Sequence, residues 1–160
     1  KNGVSVSMMS SDFEGAKKVV EAGANIIALD CTFFPSTIKE DTVTLIKRLH
    51  EELGVLVMAD ISTAEEAANA AKMGVDAVST TLAGYVPNAL HTDEELYTPN
   101  FKLLTDIAAQ KLPVKLVTEG RVWTPADLKQ AYTIGADAVV IGKAITNPMA
   151  ITKYFIRESK

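Results

Sequence analysis

Three stretches of the chain repeat one order of apolar and polar positions. Glu21-Ala22-Gly23-Ala24-Asn25-Ile26-Ile27-Ala28-Leu29-Asp30 aligns with Lys72-Met73-Gly74-Val75-Asp76-Ala77-Val78-Ser79-Thr80. The third copy is Thr133-Ile134-Gly135-Ala136-Asp137-Ala138-Val139-Val140-Ile141-Gly142. In each copy a helical period closes at a glycine, which takes the left-handed conformation beyond a helix end at low cost. One Asn or Asp then turns the chain, and a short apolar strand follows. Two further apolar runs, Val55 to Ala59 after Gly54 and Val114 to Val117 after Pro113, lie between the copies. The pattern predicts five strands, near residues 26, 55, 77, 114 and 138, with a helical segment between each pair.

The helix starts carry their own signals. Ser11-Asp12-Phe13-Glu14 and Thr63-Ala64-Glu65-Glu66 fit the capping box, in which side chains satisfy first-turn N–H groups that lack a helical partner. Thr124-Pro125 sets a cap before a proline at the first helical position, where its missing N–H costs nothing. Behind these caps Ala16, Val19, Val20 and Gly23 keep a helical period, as do Leu128, Ala131, Tyr132 and Gly135. A final helix is expected from about Met149 to Arg157, and Val4 to Met8 reads as a further strand or an extended loop.

Strand, helix, strand, helix is the signature of parallel βαβ units, whose strands read as continuous apolar runs when both faces are covered. Recurrence at roughly 22 to 37 residues leaves two α/β architectures, an open doubly wound sheet and part of a (β/α)₈ barrel. Five units suit the open sheet by length, since an eight-unit barrel takes about 250 residues. The strand ends favour the barrel. Asp30, Asp60, Thr80-Thr81, Glu119 and Gly142 all fall where a strand finishes, and in a barrel those ends converge on one site. An open sheet would have a single switch point to load with polar groups.

Composition narrows the function classes. The 160 residues are 48% hydrophobic and 22% charged with a net charge of −4, which suits one globular domain over 1–160 and not a disordered chain. Sixteen Lys and Arg against 20 Asp and Glu leave no basic excess for a nucleic-acid partner. No apolar run approaches the ~18 residues of a membrane span, and Lys1-Asn2-Gly3 does not open a secretory leader. A soluble, cytoplasmic domain is expected. The single cysteine, Cys31, allows neither an intrachain disulfide nor a clustered thiolate site.

Among candidate chemical groups Glu119 comes first. A carboxylate ending an apolar strand is partly desolvated, which raises its pKa towards neutrality and suits proton transfer. The competing reading makes it a structural partner of Arg121 or of a nearby N–H. Gly120 and Gly142 each follow a strand and precede a helix, so backbone N–H groups there can approach an anion, with charge from Arg121 and Lys143. Asp60 either orients a hydroxyl or catalytic group or caps the following turn, and Asp30 is similar. His50, beside Glu51 and Glu52, reads as solvated surface. His91 lies in the longest connection, Val86 to Asn100, a length often used for a lid. Two histidines and one cysteine far apart support no metal site and no Cys/His nucleophile. Cys31 reads as a small packed residue. Gly142-Lys143-Ala144 lacks the glycines of a nucleotide-binding fingerprint.

Taken in order, Ile27-Ala28-Leu29-Asp30-Cys31-Thr32, Met58-Ala59-Asp60-Ile61-Ser62-Thr63 and Thr80-Thr81-Leu82-Ala83-Gly84-Tyr85 resemble successive motifs of the N-acetylmannosamine-6-phosphate 2-epimerase family. Glu119-Gly120-Arg121 with Thr124-Pro125, then Gly142-Lys143-Ala144-Ile145-Thr146, continue the series. The resemblance runs from about residue 10 to the end. It implies a (β/α)₈ TIM-type barrel that interconverts N-acetylmannosamine 6-phosphate and N-acetylglucosamine 6-phosphate in sialic-acid and amino-sugar catabolism. No metal or redox cofactor is implied. The C2 proton is moved by a lysine and a glutamate; Glu119 matches that glutamate and Asp60 an aspartate supporting the site. Gly120, Arg121, Gly142 and Lys143 match the phosphate-binding turns.

The resemblance also implies differences. It covers strands four to eight, so three βα units, including the strand that ends in the catalytic lysine, have no counterpart here. Lys1 falls near that lysine's place without the strand before it. Asn147 stands where the family usually has a phosphate-binding arginine, and a lost bidentate guanidinium weakens the grip on phosphate. Five parallel strands cannot close an eight-stranded barrel. The expectation is therefore a partial barrel that is a piece of a longer protein, pairs with a second copy, or opens into a flatter sheet. An epimerase acting on a small sugar phosphate is the first reading, and a non-catalytic sugar-phosphate-binding relative is the alternative. A lyase or synthase on a similar barrel is a third.

Overall fold

A computed structural model describes residues 12–34, 38, 40–86 and 97–159. The chain runs α1 (Phe13–Glu21), β1 (Ile26–Asp30), α2 (Thr42–Arg48), β2 (Leu56–Asp60), α3 (Ala64–Met73), β3 (Ala77–Ser79) and α4 (Phe101–Ala109). It continues through β4 (Lys115–Glu119), α5 (Pro125–Ile134), β5 (Ala138–Val140), α6 (Lys143–Thr146) and α7 (Pro148–Glu158). All five strands expected from the pattern are present, and the last helix begins one residue earlier than expected and ends one later. Val4 to Met8 and His91 lie outside the described residues.

The strands form one parallel sheet in the order β1-β2-β3-β4-β5. That order decides between the two architectures. A doubly wound sheet reverses direction at a switch point and carries helices on both faces. Here every crossover steps the same way, and right-handed crossovers then leave all connecting helices on one side. The neighbouring helix pairs α2–α3, α3–α4 and α4–α5 accordingly touch one another. This is the arrangement of successive units around a barrel.

The two faces differ in burial. Ile27 and Leu29 of β1, Val57 and Ala59 of β2, and Val78 of β3 turn towards the helices and are buried with Leu45, Leu49, Ala67, Ala70 and Leu104. The alternate positions face the barrel interior, where Ile26, Leu56 and Val140 remain 53%, 50% and 40% exposed. The outer face of the strands is thus closed by the helices, while the interior face is left open at these apolar positions among the described residues.

The repeated glycine and acid have a common purpose. Gly23, Gly74 and Gly135 all take positive φ, at 105°, 93° and 125°. In the second and third copies the acid two residues after the glycine then reaches the adjacent strand: the Asp76 carboxylate accepts from the Val57 N–H and that of Asp137 from the Leu116 N–H, both at 2.8 Å. His50 contributes here too. Its Nε2 sits 2.8 Å from Asp76 Oδ2 and the side chain is only one-third exposed, so the ring is a partner of this turn and not free surface. At the helix starts, Thr63–Glu66 and Thr124–Asp127 form complete capping boxes. The α1 cap is Asp12, whose carboxylate accepts from the Gly15 N–H at 2.8 Å. Among the described residues no helix is long and apolar enough to cross a membrane.

Candidate active site

Parallel register fixes which side chains meet at the carboxyl ends of the strands. Asp30 pairs with Asp60, and Asp60 with Ser79, so the three stand level on the interior face. Beyond Ser79 the chain tightens into a 3₁₀ turn over Thr80–Leu82. That turn delivers Thr81 to a position between β2 and β4. Its Oγ1 lies 2.6 Å from Asp60 Oδ1, 3.0 Å from Glu119 Oε2 and 2.8 Å from Ser79 Oγ. The neighbouring threonine grips the backbone: the Thr80 hydroxyl accepts from the Glu119 N–H and donates to the Glu119 carbonyl, both at 3.0 Å. One threonine thus holds the main chain of Glu119 and the next holds its side chain.

Asp60 is 3% exposed. Burial pushes its carboxyl up to about 6, and the negative charges of Glu119 and Asp30 push the same way; the hydrogen bond from Thr81 opposes them. Its side chain crosses to β3. The turn it was a candidate to cap is held instead by Glu66, which accepts from the Ser62 and Thr63 N–H groups at 2.7 and 2.9 Å. Asp30 does act locally, accepting from the Thr32 N–H and hydroxyl at 3.0 and 2.8 Å. Cys31 packs in the core, where burial first and the nearby carboxylates second push its thiol up to about 12.

Glu119 opens into a cavity of about 440 Å³, within the range of small-molecule sites. Gly120, Arg121, Gly142 and Lys143 line the same cavity, so five of the six candidate site residues share it. Asp60 lies below, reached through Thr81. Gly120 and Arg121 have positive φ, 105° and 62°, and the second is costly for a residue with a Cβ. The turn carries the arginine over the cavity, where one Nη donates to the Ala83 carbonyl at 3.0 Å and the buried Nε has no partner. Arg121 is therefore not tied to Glu119 by any hydrogen bond of its side chain. Tyr85 stands between the cations, its ring centre 5.4 Å from the guanidinium carbon and 5.7 Å from Lys143 Nζ. Asn147 caps α7, its Oδ1 accepting from the Ala150 N–H at 3.0 Å. Lys1 is outside the described residues. Among those that are described, no group of three or more His, Cys, Asp or Glu is placed to hold a metal ion.

Sequential parallel strands with a polar cluster at their carboxyl ends define the TIM-barrel class, and solved structures agree. Inosine 5′-monophosphate dehydrogenase from Legionella pneumophila, at 23% identity, superposes with a TM-score of 0.58 over 81% of this chain and 39% of that one, a likeness of fold alone. Nearer relatives narrow the class. A family model described as "Putative N-acetylmannosamine-6-phosphate epimerase" matches residues 4–160, and the chain belongs to that family. A protein of Caldanaerobacter subterraneus subsp. tengcongensis named "Putative N-acetylmannosamine-6-phosphate 2-epimerase" is 43% identical over 144 residues, covering 89% of this chain and 59% of that protein. One of the same name from Clostridioides difficile is 41% identical over 140 residues, covering 88% and 60%. The structure of the N-acetylmannosamine-6-phosphate 2-epimerase from Clostridium perfringens superposes with a TM-score of 0.81 at 36% identity, over 92% of this chain and 62% of that one. The chain thus spans about 60% of the length of the curated relatives it matches.

Proposed function

We propose that the protein is an N-acetylmannosamine-6-phosphate 2-epimerase, an isomerase in which Glu119 moves the proton at C2 of the sugar. One observation carries this reading: a single cavity presents the Glu119 carboxyl beside the Gly120 and Gly142 turns and the cations of Arg121 and Lys143. A phosphosugar needs both halves. The turns and cations hold the phosphate dianion through N–H groups and charge. The carboxylate faces the carbon chain.

In the open-chain sugar C2 is adjacent to the C1 aldehyde, so its C–H bond is acidified. Glu119 takes that proton, the bonding electrons pass into the C1–C2 enolate, and C2 becomes planar. A proton returned to the opposite face inverts C2. The family resemblance assigns one of the two proton-transfer roles to a lysine, and Asp60 supports the site from below. The balanced charge and single cysteine fit work in the cytoplasm on a soluble metabolite. Half-exposed Ile26, Leu56 and Val140 on the interior face are what further βα units or a second copy of the chain would cover.

Solvent deuterium incorporation at C2 of N-acetylmannosamine 6-phosphate tests the reaction. Wild-type chain is expected to incorporate label, and Glu119→Gln to lower incorporation at least ~100-fold while the sugar phosphate still binds. Undiminished exchange in the variant removes Glu119 from the mechanism. Saturable binding with no exchange in the wild type makes this chain a sugar-phosphate-binding relative instead.

A further inference from the structure

The Thr81 hydroxyl oxygen has three oxygen neighbours within 3.0 Å: Asp60 Oδ1, Glu119 Oε2 and Ser79 Oγ. A hydroxyl brings one hydrogen and two lone pairs. One hydrogen cannot lie along the line to both carboxyl oxygens, and a contact between a lone pair and a carboxylate oxygen at these distances is repulsive. The geometry is satisfied when one carboxyl carries a proton. Protonated Asp60 then donates to Thr81, Thr81 donates to the Glu119 carboxylate, and Ser79 donates to the remaining lone pair.

We infer that Thr81 is a positioning residue that makes Asp60 and Glu119 hold one shared proton, which passes between them through its hydroxyl. The transfer is balanced. Asp60 releases its proton to Thr81 Oγ1 as Thr81 releases its own to Glu119 Oε2, leaving an Asp60 carboxylate, an intact hydroxyl and a Glu119 carboxylic acid with no heavy atom moved. Either atom of the Ser79–Thr81 pair can be the donor. When Glu119 takes a proton while Asp60 keeps its own, so that the pair holds two, both carboxyls donate to Thr81 and Thr81 turns its hydrogen to Ser79. The bridge thus accommodates Glu119 before and after it takes a proton. Catalytic use of the bridge rests on the proposed reaction at C2; the sharing of the proton does not.

The surroundings of Asp60 favour a proton at its end of the bridge, while Lys143 lines the cavity on the Glu119 side. Asp60 is buried, and the charges acting on it are the carboxylates of Glu119 from β4 and Asp30 from β1. Cys31, after β1, is a neutral thiol. Glu66 of α3 is occupied by N–H groups of Phe33, Ser62 and Thr63. Arg121, after β4, is turned to the Ala83 carbonyl.

The test is a pH titration of the side-chain carboxyl ¹³C signals of Asp60 and Glu119 in the chain as it stands. Sharing predicts that both signals move in each of two common steps. Thr81→Val should collapse this to one separate step per carboxyl, and Thr81→Ser, which keeps the hydroxyl, should restore the paired curves. Independent single steps in the wild type overturn the inference, as do paired curves that persist in Thr81→Val. The wild-type curves decide alone if the valine variant does not fold. Deuterium exchange at C2 on the same samples separates the two claims. Paired titration without exchange keeps the bridge and removes the epimerase reading, whereas exchange with independent titration does the reverse. With both in place, Thr81→Val is expected to slow exchange at least ~10-fold and Thr81→Ser to recover it.

Discussion

Asp60→Asn should gain stability relative to wild type as pH rises from 4 towards 7, and, on the proposed function, should be less able to exchange the C2 proton. Asp60 is almost wholly buried, and its carboxyl is raised from an ordinary 3.8 to about 6. The folded chain therefore holds this proton more tightly than the unfolded chain does. Below about pH 4 both states are protonated and the group adds no pH-dependent term. Between about 4 and 6 the unfolded chain ionises first, and stability falls as pH rises. Above pH 6 the whole penalty stands, about 3 kcal/mol for a pKa displaced this far. Asparagine has nearly the same shape, still offers an oxygen to Thr81, and never ionises. Its amide hydrogens need partners in a buried site, a constant cost of about 1–3 kcal/mol. The sign of the difference at one pH is therefore less telling than its slope. Urea unfolding of both proteins from pH 4 to pH 8 should show the variant gaining about 2–3 kcal/mol relative to wild type, most of it before pH 6.5. A difference that stays flat, or one that shrinks with rising pH, would refute a buried, protonatable Asp60. A buried acid that destabilises the fold which holds it is expected where function outweighs stability, as the proposed role of Asp60 requires.

Two other outcomes follow from the same structure. Glu66 is 1% exposed and its two oxygens take four hydrogen bonds, from the N–H groups of Phe33, Ser62 and Thr63 and the Ser62 hydroxyl. Glu66→Gln turns one acceptor into a donor facing a donor, and urea unfolding should report a loss of about 1–3 kcal/mol. The exposed interior positions Ile26, Leu56 and Val140 give a different expectation: sedimentation of the chain over a wide concentration range should show self-association. A single monomeric species throughout would count against pairing through that face.

The layout of the fold was legible because its signals are local. Gly74 and Asp76 stand two apart, and Thr63 and Glu66 three apart; each pair acts within one turn, so a sequence read in short windows finds it. Strand ends were legible for the same reason, since an apolar run that stops at Asp60 or Glu119 announces where chemistry can sit. Roles were harder. Asp60 next to a turn suggested a cap, and only the structure shows Glu66 already holding that turn. His50, followed by Glu51 and Glu52, reads as solvated, yet its partner Asp76 is 26 residues away.

Thr81 shows where local reading stops. Its two carboxyl partners lie 21 and 38 residues away, and they meet only because β2, β3 and β4 pair in one register with the 3₁₀ turn advancing Thr81 past the end of β3. A one-residue slip of β4 would turn Glu119 towards the helices and leave Thr81 with Asp60 alone. A hint was nonetheless present. Ser79-Thr80-Thr81 places three hydroxyls in succession at the end of β3, and Thr80 is buried against Glu119. Buried hydroxyls need partners. A run of three hydroxyls closing a short apolar strand, two of them buried, implies that neighbouring strands supply polar groups at the same level. In a parallel sheet of this order those groups come from the ends of β2 and β4. The run therefore points to the carboxyl pair before any side chain is placed, although it leaves open which threonine serves the backbone and which the carboxyls.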